Sequence, residues 1–225
     1  MSDEDTGMAT GDNVSSYVDD TYGTAVSSMS AHDRADQLMR EVNQTLQHEG
    51  VPEVAWDFGA PSSTYGTFDA GEWKMFLNEH YFSPEGTDAA TLEDNYREAL
   101  QTVYHEARHA EQAFRGARER IGLGASVEQV MEAMAHAHNA PAPPQWVVEQ
   151  AAHNPILQCD YAQYQAEAWY QSMYGAGAES RYQTLTHPED PNYDAGYRAL
   201  PEEADAWRTD GMVGDQYREH GQPHQ

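Results

Sequence analysis

The run Tyr104-His105-Glu106-Ala107-Arg108-His109 decides how this sequence is read. Its pattern is H-E-x-x-H. On a helix, positions i and i+4 stand one above the other on one face, so His105 and His109 can both aim an imidazole nitrogen at one metal ion. Glu106, beside the first imidazole, is placed to act as a general base. Two nitrogen ligands, a neighbouring carboxylate and an open position for water are the elements with which Zn²⁺ activates water.

With eleven His in the chain, such a run also arises on an exposed helix that merely faces water. Context separates the two. Thr91-Leu92-Glu93-Asp94 has the form of a capping box. Leu92, Tyr96, Ala99, Leu100, Val103, Ala107, Ala110 and Phe114 recur with helical period. The spacing predicts an amphipathic helix from Leu92 to about Gly116, with both His well inside it.

A catalytic zinc takes three protein ligands and one water. The offsets after His109 that would extend the run hold Gln112 and Arg115, so the third ligand must come from elsewhere. The stretch Leu200-Pro201-Glu202-Glu203-Ala204-Asp205-Ala206-Trp207 suits that role. Pro201 fits a first helical turn, and carboxylates are favoured at that positive end. Ala206, three residues after Glu203, lets such a helix approach closely. Glu203 is the preferred ligand, with Glu202 and then Glu167 as alternatives. Gln112 and Asp205 are candidates to orient a ligand His from behind. Tyr197, just before this helix, is a candidate oxyanion donor or a packing residue.

His-Glu-Ala-Arg-His-Ala-Glu-Gln (105–112) together with Leu-Pro-Glu-Glu-Ala-Asp-Ala-Trp (200–207) resembles bacterial zincin-type metallopeptidases of the toxin or effector class. Their pattern is H-E-x-x-H followed much later by P-x-E-x-x-A. The resemblance covers these two motifs and, loosely, the strand region before them. It implies a zincin-like domain that hydrolyses peptide bonds, with Zn²⁺ held by His105, His109 and Glu203 and with Glu106 as base. It also implies a small sheet before the metal-site helix, one strand of which forms the edge for an extended peptide.

The remaining segments fit an α+β class, mostly helical with a small N-terminal sheet. Residues 1–30 are acidic and rich in Ser, Thr, Gly and Asp, and are expected to be disordered, with Val14, Tyr17, Val18 and Tyr22 as docking points. Residues 31–225 are expected to form one domain. Ser30 with Asp33 predicts a capped helix whose apolar face is Leu38, Met39, Val42 and Leu46. Val54, Trp56 and Phe58 alternate as on a strand. Strands are also expected at 65–68 and 73–78, the latter with Trp73, Met75 and Leu77 on one face.

A second cap, Ser126 with Gln129, predicts a helix ending near His136 and His138. Those two His point apart and suit the helix dipole better than a metal. Residues 145–175 read as helix broken near Asn154-Pro155, with an aromatic stripe suited to core packing. Residues 175–196 read as loop.

Composition narrows the partners. Lys+Arg is 12 against 38 Asp+Glu, a formal charge of −26, which argues against charge-driven binding of nucleic acid or anionic membranes. No D-x-D-x-D-G loop is present to hold Ca²⁺. Cys159 is the single cysteine, so no intramolecular disulfide forms. The acidic start Met1-Ser2-Asp3-Glu4-Asp5 lacks the form of a signal peptide, and no apolar run reaches the length of a membrane span. The expectation is a chain made in the cytosol that acts on a peptide or protein substrate. A signal-independent export or injection route, engaged through the N-terminal segment, fits the same features. The rival function is a zinc-binding interaction protein or injection-system cargo without catalysis.

Overall fold

The computed structural model describes residues 6–22, 29–83, 88–137, 140–156 and 161–220. The fold is α+β, mostly helical with one three-stranded sheet. The helices are α1 (Gly11–Thr21), α2 (Ala31–His48), α3 (Ala89–Gly122), α4 (Val127–Ala135), α5 (Gln145–His153), α6 (Tyr161–Met173), α7 (Ala178–Thr186), α8 (Tyr193–Arg198) and α9 (Pro201–His220). The strands are β1 (Ala55–Phe58), β2 (Gly66–Asp69) and β3 (Lys74–Leu77). The chain groups into two compact units. One comprises 1–68, 74–108 and 208–225, the other 69–73 and 109–207.

In the first unit α2 is capped as its sequence predicts: the Ser30 side chain accepts from the Asp33 backbone, and the Asp33 carboxylate accepts from the Ser30 backbone. Leu38, Met39, Val42 and Leu46 are all buried. The strand order is β1-β3-β2. β1 and β3 are parallel, Ala55 opposite Lys74 and Phe58 opposite Leu77. The short connection from β2 to β3 makes that pair a hairpin, so β2 is an edge strand. Trp73, Met75 and Leu77 are buried, the period-2 face read from the sequence.

The N-terminal segment departs from expectation. Residues 11–21 form α1, capped by Thr10, whose side chain accepts from the Asn13 backbone. Val14, Tyr17 and Val18 are buried. Four hydrogen bonds fasten this segment to α3. Tyr17 donates to the Leu100 carbonyl (3.2 Å), Tyr96 to Thr21 (3.1 Å), Tyr104 to Met8 (2.6 Å) and Arg108 to Thr6 (3.0 Å). Low average hydrophobicity suggests disorder, but three apolar residues at i, i+3 and i+4 make one stripe. A deep site on α3 rewards burying it. Val14, Tyr17 and Val18 are therefore core residues rather than docking points, while Tyr22 stays partly exposed beside Tyr217.

The central helix α3 is longer than predicted at both ends. Its cap is Asp88, whose carboxylate accepts from the Ala90 and Thr91 backbones at 3.1 and 3.0 Å and from the Thr91 hydroxyl at 2.9 Å. These bonds, led by the Thr91 backbone, hold the Asp88 carboxyl below its ordinary pKa. Thr91 thus lies inside the helix rather than capping it. At the other end α3 runs past Gly116 and stops before Gly124, which has φ 98°, a left-handed value that a glycine adopts without strain.

In the second unit α5 and α6 flank the predicted break, and α4 has the predicted Ser126–Gln129 capping box. His136 caps the C-terminus of α4, its Nδ1 2.6 Å from the Glu132 carbonyl, in line with a terminus role. The aromatic stripe of α6 is largely core: Trp169 and Tyr170 are buried, whereas Tyr164 is exposed. Residues 175–196, expected as loop, contain α7 and the start of α8; Gly175, Gly177, Pro188 and Pro191 fall between the helices, whereas Gly196 lies within α8. Cys159 and His138 lie outside the described residues. Among the described residues no helix is long and apolar enough to cross a membrane.

Candidate metal centre

Helix α3 presents His105 and His109 one turn apart with Glu106 next to His105, and α9 presents Glu203 from its first turn. His105 is buried and Glu203 is 4% exposed. One ligand atom from each of His105, His109 and Glu203 lies within 4.8 Å of the others. Both imidazoles ride on one unbroken helix, and Glu203 meets His109 inside the second unit, so the start of α9 and one face of α3 suffice to build the group.

The distance from His109 Nε2 to Glu203 Oε2 is 3.6 Å. That is beyond ordinary hydrogen-bond length. Two atoms each about 2.1 Å from one ion at the tetrahedral angle stand roughly 3.4 Å apart. The His109–Glu203 spacing therefore suits two ligands of one ion better than a direct bond between them. Two imidazoles and one carboxylate are also a known donor set for catalytic Zn²⁺, so the residues present fit the group.

The support behind His109 is specific. His109 Nδ1 lies 2.8 Å from Gln112 Oε1. An amide oxygen only accepts, so Nδ1 carries the proton and Nε2 keeps its lone pair for the ion. The Gln112 amide nitrogen donates to the Glu202 carbonyl (2.9 Å) and to Asp205 Oδ2 (3.0 Å), which settles which end of the amide is oxygen. Gln112 is fully buried. It fixes the His109 tautomer and ties α3 to the turn that carries Glu203. The sequence singled out Gln112 and Asp205 for such a role, without showing that they bond each other.

Neighbouring carboxylates go elsewhere. Successive helical residues point about 100° apart, and Glu202, buried beside Glu203, pairs with Arg181 Nε of α7 at 2.7 Å. Glu167 pairs with Arg120 at 2.9 Å. Both alternatives to Glu203 thus have a cationic partner. Ala206 is fully buried, in keeping with a close approach of this turn. Tyr197 lies in α8 with its ring stacked on Tyr193, centroids 6.0 Å apart.

Glu106 has a contact that nothing in the sequence signals. In the first unit its Oε2 accepts from the backbone N–H of Phe68, on edge strand β2, at 2.8 Å. The base candidate is thereby oriented by the sheet. Arg181 and Phe68 are the partners that sequence reasoning missed. Neither belongs to a motif, and only the packing of α7 and β2 selects them. Comparison with protein-family models, with curated proteins and with solved structures finds no match for this chain.

Proposed function

We propose that this protein is a zinc-dependent peptidase of zincin-like type. The observation that carries the proposal is the convergence of Glu203 on the His105–His109 pair, across more than ninety residues of sequence. His105, His109 and Glu203 would hold the ion. When bound, Zn²⁺ supplies a Lewis acid and a water whose pKa is brought near neutrality. Glu106 takes up the proton as water attacks the peptide carbonyl, then returns it to the leaving amine. Phe68 N–H keeps the Glu106 carboxylate oriented for both transfers. Gln112 holds His109 in the tautomer that binds. Tyr197, whose ring stacks on Tyr193 in a packing role, is the candidate oxyanion donor. The buried Arg181–Glu202 pair keeps the carboxylate beside Glu203 neutralised.

The test is metal analysis and peptide cleavage on purified protein. Wild type should contain zinc and cleave, and His105→Ala should lose both. Glu106→Gln should keep zinc and lose about 10²–10⁴-fold in cleavage rate, the usual weight of a general acid–base group. Cleavage by Glu106→Gln at the wild-type rate rejects the mechanism. Zinc without cleavage by wild type supports instead a zinc-binding interaction protein or secreted cargo.

A further inference from the structure

A second polar cluster lies further along α3, about 15 Å beyond His109 at 1.5 Å per residue. Glu119 is 1% exposed. Facing it from α6 are Glu167 and Gln163, and beside it on α3 is Arg120. Arg120 Nη1 is 2.9 Å from Glu167 and 3.6 Å from Glu119, and its guanidinium sits over the Tyr170 ring at 4.8 Å. Gln171 donates to the other Glu167 oxygen at 2.8 Å. Arg115, one turn earlier, is engaged with Glu111 at 2.7 Å. Among the described residues, Arg120 is the cation that faces both carboxyl groups.

The α3 and α6 backbones run close together here: a methyl group placed on Gly116 would stand 3.4 Å from Tyr170 Cβ, an ordinary van der Waals contact. Glu119 is shielded from water while the Glu167 side chain stays 38% exposed, so two ionised carboxylates here repel with solvent screening from one side only. One proton on Glu119 converts that repulsion into a hydrogen bond, with the buried Glu119 carboxyl as donor and the Arg120-paired Glu167 as acceptor.

We propose that Glu119 and Glu167 form a proton-gated latch between α3 and α6: one shared proton closes it, and loss of that proton loosens α6. Burial, with Glu167 adding to it, raises the Glu119 carboxyl from 4.5 to about 7, against the opposing pull of Arg120. The gate therefore operates near neutrality. It makes no use of the metal centre, and it stands or falls independently of peptidase activity.

The experiment uses the full chain. Difference infrared spectra should show the carbonyl stretch of one protonated carboxyl fading between pH 6 and pH 8, and Glu119→Gln should remove that band. Hydrogen exchange corrected for intrinsic rate should show α6 amides at least tenfold less protected at pH 7.5 than at pH 5, relative to α2 amides. In Glu119→Gln, whose amide supplies a permanent donor, this loss should disappear. If Glu119→Gln folds poorly, Glu167→Gln serves: it removes the facing charge, and should lower the pH at which the Glu119 band fades. A band unchanged by Glu119→Gln, or α6 protection that falls equally in wild type and variant, overturns the proposal.

Discussion

Two carboxylate clusters packed against helix α3 solve one problem differently. At its middle, Glu203 faces two imidazoles; further along, Glu119 faces another carboxylate. A buried carboxylate needs a positive partner or a proton. Glu202 takes Arg181 and Glu167 takes Arg120. Glu119, for which Arg120 lies 3.6 Å away while bonding Glu167, keeps a proton up to about pH 7. Glu203 is set where one nitrogen from each imidazole and a carboxylate oxygen lie within 4.8 Å of one another, an arrangement that fits the proposed cation. The contrast teaches that the neighbours, rather than the carboxylate itself, choose between ion pair, proton and metal.

The comparison breaks most sharply at Glu203. Structural zinc sites bind with about 10–16 kcal/mol shared among their ligands, so Glu203→Gln should cost about 3–4 kcal/mol in zinc affinity by chelator competition. Glu119→Gln should leave that affinity unchanged. Equal losses in the two variants would erase the distinction between the clusters.

Arg181→Ala comes next. It strands the buried Glu202 carboxylate, and breaking such pairs costs about 3–5 kcal/mol. Arg181 keeps some solvent contact, so a loss near 3 kcal/mol is expected in urea unfolding. Gln112→Leu removes the acceptor that fixes the His109 tautomer. It should weaken zinc binding about 10–100-fold.

The smallest effect is a pH slope. The folded chain holds the Glu119 proton to about pH 7, whereas the unfolded chain releases it near its ordinary value. Between those values the native state binds more protons, so stability falls as pH rises across the window and levels off above it. With Arg120 sharing the load, about 1–2 kcal/mol should be lost in wild type relative to Glu119→Gln, measured by chemical unfolding at pH 5 and pH 7.5.

Much of the local structure was legible from residues near each other. Ser30 with Asp33 and Ser126 with Gln129 announce their helices because capping is settled within four residues. Trp73, Met75 and Leu77 announce a strand face because its period is two. Thr91 misleads as a cap because Asp88, three residues earlier, already caps the helix with a charged acceptor that takes the Ala90 and Thr91 amides. The segment at 178–186 reads as loop because Gly175, Gly177 and Pro188 dominate the eye, although they only bracket α7.

By itself the sequence determined that His105 and His109 share one helical face with Glu106 between them, since 3.6 residues per turn leaves no other outcome once α3 forms. It also determined that the second acidic turn opens a helix at Pro201. Only the tertiary structure decided that Glu203 and not Glu202 meets His109, that Arg181 takes the neighbour, that Phe68 orients Glu106 and that residues 11–21 fold against α3. Those choices depend on which helices and strands lie side by side, and contacts between residues tens of positions apart leave no periodic trace in the chain.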